Sequence, residues 1–280
     1  MRAGAAASAA AEVAGLSGFV SRVVVVLIGA PIVLGAVWLG GWWLFALVAA
    51  GVLVALHEFY AMARPMRPLV LAGYCGGAAM LVGAQLGGIQ WMVGGFVATP
   101  LLAFLLYLVA STRAPATASV SATVLGAAWI GFGLGFLLLI RDLDDNGRLV
   151  AFAIVIAVWV DDTVAYLVGR AVGRHKFSPA ISPAKTWEGF LAGTAGGIFA
   201  MFVALYDDRS TYLSIPQAIV LGAVVAVAAA LGDLFESAFK RDLQVKDSGR
   251  VLAGHGGVLD RVDAFLFAFP AAYFTLALLT

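Results

Sequence analysis

The sequence predicts an all-α polytopic integral membrane protein, and three observations predict it. Of the 280 residues, 62% are hydrophobic and only 12% charged, about half the roughly 25% charge of a soluble domain. The mean hydropathy is +1.00. The basic residues, moreover, fall mostly in alternate loops. Together these exclude a soluble globular domain and a disordered chain. A formal net charge of +1 gives no electrostatic basis for binding nucleic acid. The single cysteine, Cys75, cannot form an internal disulfide and suits a reducing or membrane-embedded setting.

Charge-free runs mark the spans, because a helix crossing the hydrocarbon core needs about 20 apolar residues. Residues 23–56 contain no Asp, Glu, Lys or Arg. That run is too long for one helix, and Gly40-Gly41 supplies a turn within it. Residues 68–112 form a second long run, broken near Gly87-Gly88. Single spans fit 114–140, about 149–169, 189–206, 210–232 and about 258–280. The expected total is nine helices. Residues 1–20 read as a flexible, Ala-rich cytoplasmic tail and 21–280 as one transmembrane catalytic domain, of which 21–140 is mainly scaffold and 141–280 carries the site. Gly131, Gly133 and Gly135 read as close-packing positions between helices. Trp42, Trp43, Trp91 and Tyr212 fall at span ends, where interfacial anchors belong.

Orientation follows from Lys and Arg placement. With the N-terminus in the cytoplasm, the inner side holds 14 basic residues and the outer side only Arg141, Arg148 and Arg209. The outer loops are acidic instead, with Asp142, Asp144, Asp145, Asp207 and Asp208. In a bacterium this is a protein of the cytoplasmic (inner) membrane.

Between residues 23 and 140 only Glu58, Arg64, Arg67 and Arg113 are charged, and the second half holds most of the rest. If the eighth helix continues past residue 232, Asp233, Glu236, Ser237 and Lys240 share one of its faces. Lys246-Asp247, Gly254-His255-Gly256-Gly257 and Asp260-Arg261-Val262-Asp263 follow, with Asp260 and Asp263 again on one face. Carboxylates entering a membrane helix are costly unless paired or bound to a cation. Without neighbouring His or Cys ligands they suit a hard ion such as Mg²⁺. The Lys and Arg residues beside them suit a polyphosphate, and the Gly-rich turn lets backbone N–H groups approach anionic oxygens at a helix start. The combination fits metal-assisted phosphoryl or nucleotidyl transfer. A structural Asp233–Lys240 ion pair and plain helix-start charges at Asp260 and Asp263 are the bland alternatives.

A second segment, Asp161-Asp162-Thr163-Val164-Ala165-Tyr166, precedes Ser182-Pro183-Ala184-Lys185-Thr186-Trp187-Glu188-Gly189. Asp162 and Tyr166 are i, i+4 neighbours near a helix end. Ser182-Pro183 marks a helix start, and Lys185 with Thr186 is placed to meet phosphate there. Both segments map to the cytoplasmic face and can form one site.

The stretch from Ser237 through Lys240-Arg241, Lys246-Asp247, Gly249 and His255-Gly256-Gly257 to Asp260-Arg261-Val262-Asp263 resembles the signature of the phosphatidate cytidylyltransferases, or CDP-diacylglycerol synthases. The Ser182–Gly189 block and Asp162-Thr163-x-Ala165-Tyr166 resemble that family too. Ala253 stands where the family usually has Pro or Gly, and Asp161 is an additional carboxylate before the matching Asp162. The resemblance implies that CTP and phosphatidate give CDP-diacylglycerol and pyrophosphate in phospholipid biosynthesis. It implies Asp233 and Asp260 as Mg²⁺ ligands, with Asp263 and Asp247 as nearby ligands or partners and room for a second, monovalent cation. Lys240, Arg241, Lys246 and Arg261 would bind the triphosphate and stabilise the leaving pyrophosphate. Ser182, Lys185 and Thr186 would contact a phosphate, with Ser237, Gly256 and Gly257 alongside, and His255 would orient the loop or a phosphate oxygen. The resemblance also suggests a homodimer. The rival readings are a CTP-dependent enzyme acting on another lipid acceptor and an ion-coupled secondary transporter.

Overall fold

The computed structural model describes residues 27–110, 114–143, 146–205, 213–249 and 256–279. Eight helices account for most of them. These are α1 (Leu27–Leu39), α2 (Gly41–Met62), α3 (Val70–Val109), α4 (Ala116–Arg141), α5 (Gly147–Val172), α6 (Trp187–Ala204), α7 (Ile215–Asp242) and α8 (Leu259–Leu279). Seven, α2 to α8, are long and apolar enough to cross a membrane. The fold is an all-α polytopic membrane protein.

Both glycine breaks are present. Gly40 and Gly41 take φ values of 66° and 50°, a left-handed conformation that only glycine adopts without strain. α3 is interrupted at Gly88, with φ 69° and ψ −157°, and its two halves fold back on each other. A Cβ on Gly83 would meet the backbone of Trp91 at 2.6 Å, and one on Gly95 the backbone of Met80 at 2.7 Å. The small residues let the two rods touch at their backbones. Counting α3 as two rods gives nine among the described residues, but α1 is too short in its described part to be assigned as a crossing.

Glycines also set the other helix seams. Gly133 lies against the Leu266 backbone of α8, Gly131 against Gly77 of α3, and Gly135 against the Met92 sulfur. The three-glycine run of α4 is therefore a packing stripe. Arg141, at the end of α4, donates from Nε to the Val37 carbonyl at 2.7 Å and from Nη2 to the Trp38 carbonyl at 3.2 Å. A basic group thus satisfies the orphan carbonyls at the end of α1. Trp42, Trp43 and Trp91 are exposed, as membrane-facing anchors require; Tyr212 lies outside the described residues.

One element departs from the sequence reading. Ser182-Pro183 does not begin a helix. Ser182–Thr186 is a strand, β2, paired antiparallel with β1 (Lys176–Ser178) in the register Lys176↔Thr186 and Ser178↔Ser182. The ladder is irregular between those pairs, where Pro183 has no N–H to offer. Helix α6 starts at Trp187, and Thr186 makes its cap: the Thr186 hydroxyl accepts from Gly189 N at 3.2 Å. Glu188 in that first turn accepts from His175, at 2.6 Å from Nδ1 and 3.2 Å from the backbone N–H. Phe177 packs on Trp187 and Phe190 at ring separations of 4.5 and 4.9 Å, fixing the hairpin to α6.

β2 runs back along α7. The Ile181 carbonyl accepts from Arg241 Nε near the end of α7, and Lys185 Nζ reaches the Ala230 carbonyl. At 1.5 Å per residue, Ala230 is about 18 Å inside that end.

At the same end of the bundle, Phe59 of α2, Trp129 of α4 and Phe235 and Phe239 of α7 form one aromatic cluster, with Trp129 and Phe235 centroids 4.9 Å apart. Trp129 sits in a π-helical turn, Ala127–Phe132, whose extra residue turns the indole toward α7. This cluster brings the end of α2 to the polar part of α7.

Candidate active site

α7 continues unbroken through residue 242, so the face expected from the spacing forms. Ser237 Oγ lies 3.3 Å from Asp233 Oδ1, and Lys240 Nζ lies 2.6 Å from Glu236 Oε2. The structural Asp233–Lys240 pair, the bland alternative, does not form among the described residues. Lys240 instead bridges to Asp260 Oδ1 on α8 at 2.8 Å, and Asp233 is paired with Lys185 Nζ at 2.8 Å. Each ammonium ties α7 to a different element, Lys240 to α8 and Lys185 to the hairpin.

Helix α8 crosses α7 where Gly232 leaves no side chain, its Cα facing the Asp263 and Ala264 backbone. That approach sets Asp263 opposite Asp233 and Glu236. Glu236 is 1% exposed, and its Oε1 has no hydrogen-bond partner. Buried carboxylate oxygens are rarely left so. Asp233, Glu236, Asp260 and Asp263 thus form an acidic seam interrupted by Lys240 and bordered by Lys185.

The Gly-rich turn was expected to bring N–H groups to phosphate, but three N–H groups at the helix start donate to the protein's own carboxylates. Gly257 N donates to Asp260 Oδ2 at 2.6 Å, Val258 N to Glu58 Oε1 at 3.0 Å and Leu259 N to Glu58 Oε2 at 2.8 Å. Gly256, at φ 77°, packs directly on Asp260. The protein's own carboxylates fill the anion position at this helix start.

A cavity of about 450 Å³ opens between α5, α6 and the hairpin. Asp161, Asp162, Tyr166, Arg170, Lys176 and Lys185 give it polar walls, with Phe177, Phe190 and Ala230 among the apolar ones. Its size is within the usual range for small-molecule sites. Asp161 and Asp162 come close enough to Lys185 for direct electrostatic coupling, and Asp162 also faces Asp233. Lys185 therefore joins the cavity to the acidic seam. Close packing holds this wall: Gly193 of α6 lies against Asp161, and Thr186 against Gly169 and Gly173 of α5.

Most of the residues picked from sequence converge at this end of the bundle. Asp233, Ser237, Lys240, Asp260 and Asp263 line the α7–α8 seam. Lys185 and Thr186 line the cavity, although the Thr186 hydroxyl is committed to capping α6. Arg241 holds the hairpin tip through Ile181, and Gly256 and Gly257 shape the start of α8. Ser182 lies on β2, half-buried, while Lys246, Asp247 and Arg261 are exposed at the periphery. His255 lies outside the described residues. Among the described residues, no three His, Cys, Asp or Glu side chains are gathered at metal-binding distance.

Two carboxylates enter that the sequence did not single out. Asp161, read only as an extra acid, is buried at 4% exposure and lines the cavity. Glu58, counted among the few charges of the scaffold half, is buried at 2% exposure against the start of α8. The one signal for Glu58 was its isolation, a lone acid in an apolar helix.

A helical membrane bundle that concentrates paired acids and lysines at one end, beside a polar cavity, is a polytopic membrane protein with its charged groups gathered at that end. Residues 20–279 match the cytidylyltransferase family, and the chain belongs to that family. A phosphatidate cytidylyltransferase of Mycobacterium bovis is 34% identical over 289 residues, covering 96% of this chain and 88% of its own. One from Bacillus subtilis is 44% identical over 157 residues, 55% of this chain and 57% of its own. One from Staphylococcus haemolyticus is 41% identical over 138 residues, 49% of this chain and 52% of its own. The chain thus spans about half the length of the Bacillus and Staphylococcus relatives it matches.

Proposed function

We propose that this protein transfers the cytidylyl group of CTP to phosphatidate, giving CDP-diacylglycerol and pyrophosphate. The observation that carries the reading is the similarity to the mycobacterial phosphatidate cytidylyltransferase along 96% of the chain. The acid–lysine arrangement at one end of the bundle supports it. A phosphate oxygen of the lipid attacks the α-phosphorus of CTP. The new P–O bond forms as the bond to the β-phosphate oxygen breaks, and pyrophosphate leaves. A phosphate monoester is largely ionised near neutral pH, so no strong general base is needed. Catalysis rests on positioning and charge neutralisation.

In this reading Lys185, projecting between the cavity and Asp233, binds phosphate oxygens and neutralises developing charge, with Arg170 and Lys176 at the cavity wall. Lys240, Arg241, Lys246 and Arg261 serve the triphosphate and the departing pyrophosphate. The donor set fits a hard divalent cation: every acid of the seam offers oxygen, and Glu236 Oε1 is buried without a partner. Asp233 and Asp260 would hold Mg²⁺ in exchange for their lysine contacts, with Asp263 and Asp247 nearby, and a second, monovalent cation would share the same acids. The ion supplies Lewis-acid polarisation of the phosphates when bound. We further place the nine rods as nine crossings, with the N-terminus and the site on the cytoplasmic side of a bacterial inner membrane, and the protein as a homodimer.

The test is an assay of detergent-solubilised protein with CTP labelled at the α-phosphate. Lipid-soluble label that requires both phosphatidate and Mg²⁺ is the expected result. Label without phosphatidate, or only with a different lipid acceptor, overturns the acceptor assignment. No label together with ion flux in proteoliposomes overturns the reading in favour of a transporter.

A further inference from the structure

We infer that Glu58 is a positioning residue for the reaction: it clamps the start of α8 and thereby fixes Asp260. The inference rests on the function proposed above, because it gives Asp260 a part in holding the divalent ion. Its structural half stands on geometry alone.

Glu58 lies on α2, close to its end, in the half of the chain otherwise almost free of charge. Its carboxylate is buried at 2% exposure with no lysine or arginine bound to it among the ion pairs of the described residues. Its partners are backbone and hydroxyl donors from residues about 200 positions away. Oε1 accepts from Val258 N at 3.0 Å. Oε2 accepts from Leu259 N at 2.8 Å and from Ser248 Oγ at 3.3 Å. Gly249 and Gly257 press on the same carboxylate, and a Cβ at either position would collide with it. Two stretches of chain, one after α7 and one before α8, therefore close on a single side chain.

Asp260 grips the same two stretches from the other side, accepting from Ser248 N at 3.1 Å and Gly257 N at 2.6 Å. Leu259, which Glu58 holds, is its immediate neighbour. The two carboxylates act as jaws on one loop, and the position of the Asp260 oxygens follows from where Glu58 seats residues 258 and 259. Two negative groups at one helix start are compatible because each is met by N–H donors and by the positive end of the helix. Both carboxylate oxygens of Glu58 accept. Gln offers one acceptor and one NH₂ group, so it would set a donor against an amide. Asp, one methylene shorter, would not span the gap.

The experiment compares wild type with Glu58→Gln in detergent, without substrates or metal, by amide hydrogen exchange, and then by Mg²⁺ titration of CDP-lipid formation. In the variant the amides of Val258 and Leu259 should exchange roughly tenfold faster or more, matching loss of a charged acceptor. The Mg²⁺ concentration for half-maximal rate should rise by roughly 10–100-fold, the usual effect of losing the support of a metal ligand, with much of the maximal rate recovered at saturating Mg²⁺. A role confined to stability would lower the unfolding temperature and leave the half-saturating Mg²⁺ of folded protein unchanged; that outcome overturns the inference, as does unchanged exchange at residues 258 and 259. If Glu58→Gln does not fold, Ser248→Ala, which removes one donor to Oε2, is read the same way: a smaller shift in the same direction supports the clamp, and no shift overturns it. If wild type makes no CDP-lipid, the proposed function fails while the exchange result still reports on the clamp.

Discussion

The ammonium of Lys185, on the hairpin, lies 2.8 Å from a carboxylate oxygen of Asp233 on α7. It is the contact through which the cavity and the acidic seam communicate. Both side chains keep partial access to solvent, at 25% and 35% exposure, so the pair contributes little to stability. In the proposed reaction its part is chemical. Lys185→Met is expected to lower CDP-lipid formation by roughly 100-fold or more, as for loss of a charge that stabilises a transition state. The unfolding temperature should stay close to wild type. Combining Lys185→Met with Asp233→Asn should cost little more than either change alone, because the two act as a unit. Initial rates for the three variants check this, and simple multiplication of the two single losses would refute it.

For Lys240 a loss of stability is expected on top of the loss of activity that its proposed contact with the triphosphate implies. Its ammonium separates Glu236, 1% exposed at the side chain, from Asp260, 10% exposed. Lys240→Met leaves buried Glu236 without its cation, while Asp260 keeps the Ser248 and Gly257 amides; removing one partner of a buried pair costs about 3–5 kcal/mol. Thermal unfolding in detergent should show a large loss for Lys240→Met and partial recovery when Glu236→Gln is added. Absence of that recovery would mean that Glu236 is not the group Lys240 neutralises.

Gly232 allows α8 to approach α7. A methyl group there would strike the Asp263 carbonyl, a backbone atom that cannot swing aside. Gly232→Ala should destabilise the protein by about 1–3 kcal/mol through overpacking and reduce activity by displacing Asp260 and Asp263 together. Unfolding and rate measurements on one preparation test both parts.

Thr186 makes a narrower prediction. Its hydroxyl caps α6 through Gly189 N, and its methyl group packs on Gly173 of α5. Thr186→Val keeps the shape and loses the cap, and should cost about 1 kcal/mol. Thr186→Ser keeps the cap and loses the methyl group. If Ser restores stability relative to Val, capping dominates at this position; if Val is the more stable of the two, packing does.

What could be read from the sequence was whatever is local. The breaks at Gly40-Gly41 and Gly88, the shared face of Asp233, Glu236, Ser237 and Lys240, and the packing glycines of α4 all follow from spacing within a few residues. The hairpin was not legible, because strands as short as Lys176–Ser178 and Ser182–Thr186 have too few residues to show alternation, and Ser-Pro reads equally well as a helix start. The partners of the lysines could not be found either. Asp233 and Lys240 are the right distance apart for one helix face, yet each found a better partner on another element. Glu58 lay furthest out of reach, since the N–H groups it binds exist only once α8 has begun.

That last fact has a consequence in time. Glu58 is made about 200 residues before the amides of Val258 and Leu259 that it will hold. At roughly 5–20 residues per second of synthesis, the carboxylate waits on the order of 10–40 s in a half-built bundle. Helix α8 therefore completes the burial of a charge that α2 introduced long before α8 itself was made.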